Sequence, residues 1–230
     1  MRVGKRLEKI LSLLDDKCRV VADIGTDHGI LAFKILKENK AVKVIATDIS
    51  APSLDKAKEL KKRYSIGDEF ITLVGDGLKP LVDEKIIDIA IVAGMGGNEI
   101  VKILRERPQN LTVKQYIFQT MQDVEILREY LLTFGYTVLV DETIKDRDKF
   151  YSTIVCEPDN KVQEFSIDNI TVGKTDREKC GADFMEWLDM EIDKQESRER
   201  YLGEEKKKRL NALKKIKLEN EEKNSIWKLC

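Results

Sequence analysis

Val20-Val21-Ala22-Asp23-Ile24-Gly25-Thr26-Asp27-His28-Gly29 joins an apolar strand, closed by an acid, to a polar loop bounded by two glycines. The helix-forming run Ile30-Leu31-Ala32-Phe33-Lys34-Ile35-Leu36 follows directly. Strand, glycine loop and helix in that order hold a nucleoside-bearing ligand at the carboxyl edge of a parallel sheet. Glycine lets the backbone come close, and the first helical turn offers unpaired N–H groups.

The loop discriminates between ligand classes. A dinucleotide fingerprint needs G-x-G-x-x-G, but here Asp27 stands where the second glycine would be. A carboxylate in mid-loop repels a phosphate at short range, and no G-x-x-x-x-G-K-[ST] occurs elsewhere. A cationic, phosphate-free nucleoside fits better. S-adenosylmethionine (SAM), with a sulfonium and an ammonium, is the expected cofactor, and acids around it are an asset.

Working outward, apolar runs alternate with amphipathic ones. Residues 4–14 place Leu7, Ile10, Leu11 and Leu14 on one helical face. Strands are expected at Cys18 to Ile24, Val42 to Asp48, Phe70 to Val74, Ile87 to Ala93 and Gln115 to Gln119, nearly uninterrupted in apolar character as strands buried on both faces should be. Helices are expected at 30–39, from Pro52 to about Tyr64, from near Asn98, and from about Val124 to Phe134, closed by Gly135. Tyr136 to Glu142 and Tyr151 to Cys156 then follow without a helix between them, joined by the polar stretch Lys145-Asp146-Arg147-Asp148-Lys149. They predict an antiparallel pair at a sheet edge. The fold class is therefore α/β: a Rossmann-like sheet of the class I SAM-dependent methyltransferase kind, parallel with a terminal antiparallel hairpin. A nicotinamide-binding domain usually ends without that hairpin.

Past Pro158 the composition shifts. Residues 159–175 are polar, and from about Thr175 the chain is strongly helix-forming. Phe184, Trp187, Leu188, Ile192, Tyr201 and Leu202 trace one stripe; Leu210, Leu213, Ile216 and Leu218 trace another. The acidic character of 183–196 and the basic character of 198–217 favour two antiparallel helices turning at Gly203, which pairs the charges. The expected division is 1–158, a SAM-binding domain, and 159–230, a linker and helical coiled-coil extension.

The 230 residues suffice for one substantial core and an appendage. The charged fraction, 36%, is high, yet the net charge of −1 does not by itself announce a nucleic-acid partner. Basic clusters at 2–9, 56–63 and 198–217 can contact phosphates, though for any single cluster a solvated face is the favoured reading. Cys18, Cys156, Cys180 and Cys230 are scattered, none pair as C-x-x-C, and His28 is the single histidine. No metal site is expected, and a reducing, cytoplasmic setting is. The charged N-terminus lacks a signal-peptide core, and no apolar run is long enough to span a membrane. The sequence leaves oligomeric state open, with a monomer favoured.

The candidate cofactor-binding residues are Asp23, Gly25, Thr26, Asp27 and His28 in the first loop, Asp48, Asp76 and Gly77, and Gly94 and Met95. Asp48 closes the second strand, where an acid accepts from ribose hydroxyls; it can equally cap the next helix. Asp76 can accept from the adenine amine, or simply form an Asp-Gly turn. Gly94-Met95-Gly96-Gly97 follows the fourth strand; three glycines suit a ligand lying against backbone, and Met95 would line the reaction site. The candidate catalytic residues are Asp27, His28 and Met95. His28 is either a general base or a helix-start residue with no task. The Asp/Asn-Pro-Pro-aromatic sequence of many exocyclic-amine methyltransferases is absent after that strand.

V-A-D-I-G-T-D-H-G and I-V-A-G-M-G-G, with the helical tail, resemble the bacterial tRNA (adenine-22-N1)-methyltransferase family, often called TrmK. The likeness spans nearly the whole chain. It implies a SAM-binding Rossmann-like domain with a C-terminal coiled coil, and methylation of a D-loop adenine of tRNA at ring nitrogen N1. Carried over, the cofactor positions are Asp23, Gly25, Asp27, His28, Asp48, Asp76, Gly94 and Met95. One departure is Gln119-Thr120-Met121, where several relatives have Gln-Pro-Asn. The alternatives are a SAM-dependent enzyme acting on another RNA, a protein or a small molecule, a non-catalytic coiled-coil interaction protein, and, least compatible with Asp27, a nicotinamide oxidoreductase.

Overall fold

The computed structural model describes residues 3–15, 18–159 and 166–227, with side chains to residue 221. Its elements run α1 (Lys5–Ser12), β1 (Cys18–Ile24), α2 (Ile30–Lys37), β2 (Ala41–Asp48), α3 (Ala51–Arg63), β3 (Phe70–Val74), β4 (Ile86–Ala93), α4 (Gly97–Arg105), β5 (Thr112–Thr120), α5 (Val124–Thr133), β6 (Tyr136–Asp146), β7 (Lys149–Pro158), α6 (Ile167–Thr171), α7 (Lys174–Lys179), α8 (Ala182–Glu196) and α9 (Glu204–Trp227). Seven strands form one sheet in the order β3-β2-β1-β4-β5-β7-β6. β1 to β5 are mutually parallel, and β7 lies antiparallel between β5 and β6. The expected doubly wound sheet with a terminal hairpin is present. The order reverses between β1 and β4, and that is where the strand ends leave a crevice.

Alternation along each strand builds two cores. On one face Ala22, Ile24, Ala90, Val92, Tyr116 and Phe118 pack under α4 and α5. On the other Val21, Val44, Ile89, Ile91 and Ile117 pack against Ile10 and Leu11 of α1 and Leu31 and Ile35 of α2. Burial on both faces is the reason the parallel strands read as continuous apolar runs.

The hairpin is longer than its polarity suggests. β6 continues to Asp146 and β7 begins at Lys149, so only Arg147 and Asp148 make the turn, with Arg147 at φ 57 in the left-handed region. The polar residues there are strand residues at an edge. The Lys145 N–H donates to Asp183 Oδ2 of α8 at 2.9 Å, a partner supplied by the tail.

In the tail, a break at Cys180 and Gly181 separates α7 from α8; Cys180 takes φ 48. The continuous helical composition hides this break. α8 and α9 then run antiparallel, as Lys214–Glu196 at 2.8 Å and Lys217–Asp189 at 2.6 Å show by pairing rising with falling numbers. Phe184, Leu188 and Ile192 meet Leu210, Leu213 and Ile216 across the pair. Tyr201 and Leu218, expected on these stripes, are exposed at 81% and 60%. Tyr201 sits in the short turn between the helices, and Leu218 falls on the outer side of α9. Gly203 precedes α9 without a positive φ, and a Cβ there would meet nothing, so the turn does not depend on a glycine.

The tail is fastened to the sheet by buried polar bonds. Arg128 of α5 makes a two-pronged pair with Asp141 of β6, at 2.8 and 3.0 Å, and donates to the carbonyls of Ile170 and Thr171 in α6. Asp176 of α7 accepts from the backbone and hydroxyl of Thr143. Burial pushes the Asp176 carboxyl up to about 6.

Among the described residues the cysteines are free and no three or more His, Cys, Asp or Glu side chains converge as a metal would need; Cys230 and Arg2 lie outside them. No described helix is long and apolar enough to cross a membrane.

Candidate active site

The loop after β1 is shaped by its own backbone. Gly25 and Gly29 take φ 69 and 72, and Asp27 takes φ 54, a region that Asp tolerates better than most residues. A Cβ on Gly29 would lie 2.6 Å from Ala57 Cβ of α3, so only glycine lets α2 start so close to α3. The amides of Gly25 and Thr26 both donate to the Thr47 carbonyl, at 2.8 and 2.9 Å.

Two acids from this loop end up in opposite surroundings. Asp23 is 3% exposed; Thr26 Oγ1 donates to it at 2.5 Å. Burial raises its carboxyl to about 6 against the help of Thr26, the Ala32 backbone adding to that help and Asp48 opposing it. Asp27 is exposed. Its N–H donates to Asp48 Oδ2 at 3.0 Å, while Ser50 N–H donates to Asp48 Oδ1 at 2.8 Å. Ser50, not Asp48, caps α3, its hydroxyl accepting from Ser53 N–H; Asp48 ties the β1 loop to that cap, and each of its oxygens keeps a further lone pair for a ligand hydroxyl. Beside it stand Ile49, 74% exposed, and Val74, 56% exposed, apolar walls flanking the acid at the same sheet edge.

His28 is held on both sides. Asp27 Oδ2 lies 3.3 Å from Nδ1, and Lys56 Nζ of α3 lies 2.6 Å from Nε2. An ammonium can only donate, so Nε2 accepts and Nδ1 carries the proton toward Asp27. With both nitrogens engaged, neither is left to take a proton from a substrate.

Asp76 and Gly77 follow β3. Lys79 donates to Asp76 at 2.8 Å, and that bond lowers the Asp76 carboxyl. Gly77 has φ 57, and a Cβ there would press on Ile103 of α4 at 3.0 Å.

After β4, Met95 crosses the crevice. Its Cε lies 2.2 Å from where a Gly25 Cβ would be, so the β1 and β4 loops touch through this one side chain. Gly94 takes φ 83 and its N–H donates to the Gln119 carbonyl at 2.9 Å. Gly97 is a packing residue: a Cβ would sit 1.9 Å from the Asp123 carbonyl oxygen. Part of the glycine cluster therefore serves the approach of the β5–α5 loop to α4, independent of any ligand.

The structure so brings Asp23, Gly25, Thr26, Asp27, His28, Asp48, Asp76, Gly77, Gly94 and Met95 to the carboxyl ends of β1 to β4. Sequence reasoning missed the opposite wall. Arg6 of α1 reaches the crevice mouth: its Nη1 is 3.6 Å from the Cβ position of Gly94, and its guanidinium lies 5.7 Å from the Tyr151 ring centre. Gln119 is fully buried, donating to the Arg6 carbonyl and Thr153, with its own Oε1 unpartnered among the described residues. Beyond them a groove of about 500 Å³ runs between the β5–α5 loop, β7 and helices α8 and α9. No sequence motif marks it, because its residues come from segments scattered between Thr120 and Leu213.

The donor set fits SAM. Acidic oxygens at Asp48, next to apolar Ile49, suit a nucleoside, and no loop here offers the glycine-rich cradle a pyrophosphate needs. Sheet order and acid-lined switch point together define a class I methyltransferase domain. A family model described as a methyltransferase domain matches residues 3–154. A provisionally named tRNA methyltransferase of Mycoplasma pneumoniae is 30% identical over 156 residues, covering 66% of this chain and 70% of that protein. The tRNA (adenine(22)-N(1))-methyltransferase of Bacillus subtilis is 29% identical over 175 residues, covering 75% and 72%. In fold the chain is similar to Mycoplasma capricolum TrmK in complex with S-adenosylhomocysteine, with a TM-score of 0.81 at 23% identity over 94% of this chain and 97% of that one. The chain belongs to the tRNA (adenine-22-N1)-methyltransferase family, TrmK.

Proposed function

We propose that the protein transfers a methyl group from SAM to N1 of adenine 22 in the D-loop of tRNA. The observation that carries this is the meeting of Gly25 and Met95, which puts the β1 and β4 loops face to face over the switch point with Asp27, held by His28, exposed at the rim. When bound there, SAM supplies an electrophilic methyl group on a positively charged sulfur.

Neutral adenine already holds a lone pair at N1, so no base is needed to make it a nucleophile. The N1–carbon bond forms as the carbon–sulfur bond breaks, the bonding pair leaves with sulfur, and the positive charge moves to the base. The protein's tasks are therefore position and charge. In-line approach within about 3–3.5 Å is the first demand. Asp27, exposed at the rim, stabilises the charge arriving on the base. His28, clamped by Asp27 and Lys56, positions that carboxylate and takes no proton. Asp23 and Asp48 hold the ammonium and ribose ends of the donor, Asp76 and Gly77 its adenine. Met95 and Gly94 shape the floor where the methyl passes. Because N1 lies on the pairing edge, the adenine must be unpaired or turned out.

Residues 1–158 carry the transfer, and 159–230 form the unit that meets the RNA, working in the cytoplasm. Incubation with methyl-labelled SAM and unfractionated tRNA, then nucleoside digestion, tests this. Label in N1-methyladenosine, abolished by an A22 substitution in the transcript, is expected; label in another nucleoside, or none, overturns it.

A further inference from the structure

Resting on that assignment, we propose that the groove between β7 and the tail helices holds the single-stranded RNA flanking the target adenine, with Tyr151 as the stacking platform nearest the reaction crevice. Three observations carry it.

The groove and the crevice are joined. Tyr151 lines the groove, and its ring lies under Arg6, whose guanidinium also borders Gly94 at the end of β4. A strand leaving the crevice at Gly94 therefore meets Tyr151 first.

The lining has the chemistry of single-strand recognition. Phe150, Tyr151 and Trp187 line the groove; Lys145, Arg6 and Phe184 each cover one face of these rings, so a base would stack on the other face. Its volume of about 500 Å³ is that of a small-ligand cleft, open at the side.

The charge is left unbalanced where a backbone would run. Acids also line the groove: Glu191 is paired with Lys194 at 3.0 Å and Glu125 with Arg209 at 3.4 Å, while Asp123, bonded to the neutral Asn98 amide at 3.0 Å, keeps its charge. Arg198 and Lys206, by contrast, face the groove and form no ion pair among the described residues. Elsewhere in the tail Lys214, Lys217 and Lys215 are paired with Glu196, Asp189 and Asp168. Two unspent cations beside three aromatic rings suit a polyanion with exposed bases better than a peptide or a neutral metabolite.

The test uses the full-length enzyme with a tRNA transcript, and Tyr151→Ala, Tyr151→Phe and the double variant Arg198→Ala/Lys206→Ala. Steady-state kinetics are read across salt concentrations, and SAM affinity by calorimetry. Tyr151→Ala should lower kcat/KM for tRNA about tenfold or more with SAM affinity within about twofold, and Tyr151→Phe should restore it, since stacking needs the ring alone. The double variant should raise KM for tRNA and flatten its log–log salt dependence by about one to two units. Unchanged tRNA kinetics and salt slope in both overturn the proposal. So does a loss of SAM affinity in Tyr151→Ala that matches its loss of activity, because the ring would then belong to the cofactor. If the wild-type enzyme methylates a different RNA, the A22 assignment fails while the same variants measured on that RNA still decide the groove.

Discussion

The two ends of the sheet's carboxyl edge are built on different principles. On the β1–β2–β3 side each candidate residue lies at or within a few residues of its own strand's end, and the parallel strands bring those ends together: Thr26 bonds Asp23, Asp27 bonds Asp48. On the β5–β7–β6 side the wall is assembled from α1, β7, α8 and α9, and is held by Arg128–Asp141 and Asp176–Thr143, contacts between distant segments. The first side is a local construction that any sheet of this order would place correctly. The second exists only once the tail has docked.

The sharpest way to break the comparison is Arg128→Ala. It leaves Asp141 buried and unpaired, a loss of about 3–5 kcal/mol by the usual cost of breaking a buried pair. Denaturant unfolding should show that loss with the tail detaching first, seen as early proteolysis beyond residue 159. A variant that unfolds in one step at the wild-type midpoint would mean the two sides are equally local.

Titration gives the next largest effect, one acid on each side. Asp23 and Asp176 both sit at about 6 when folded, against an ordinary value of 3.8. The folded state holds their protons where the unfolded chain has released them, so stability is full below about pH 4 and is lost as pH rises through about 6. Each contributes about 3 kcal/mol across that window. Thermal melts from pH 4 to 7 should fall with rising pH. Asp23→Asn and Asp176→Asn should each remove part of that slope. Saturating SAM should diminish the Asp23 portion, because a cation beside the carboxylate favours its charged form, and leave the Asp176 portion as it was.

Within the cofactor side, Asp27→Asn keeps size and tolerates the left-handed backbone while deleting the charge. Turnover should drop about 10- to 100-fold, with SAM affinity changed less than about threefold. Equal losses in both would make Asp27 a cofactor-holding residue only. Smallest of all, Lys56→Ala frees the His28 ring. A fall in kcat of about threefold or less, without a new inflection near neutral pH, is expected if His28 only positions Asp27. A new pH-dependent limb would return it to the chemistry.

Much of this was legible beforehand, for reasons visible in single elements. β1 and β3 end where the apolar run meets Gly25 and Gly75, whose positive φ turns the chain out of the strand and selects glycine. The hairpin tip was misjudged because polar residues at an exposed edge look the same whether extended or looped. The glycines after β4 had two meanings: Gly94 serves the turn, while Gly97 exists for the Asp123 carbonyl. Arg6 was marked only as one cation of the basic cluster 2–9, with nothing local to place it at the crevice.

The order of apolar and polar residues alone determined the strand sequence, the switch point and the acids around it, because periodicity and strand-end chemistry act over a few residues. Only the tertiary structure decided which side of the crevice Arg6 and Tyr151 would occupy, that both His28 nitrogens are spoken for, and that the tail closes a groove against the hairpin. Those depend on contacts between distant segments, such as Arg6 with Tyr151 and Lys145 with α8, and no local pattern encodes a meeting at that range.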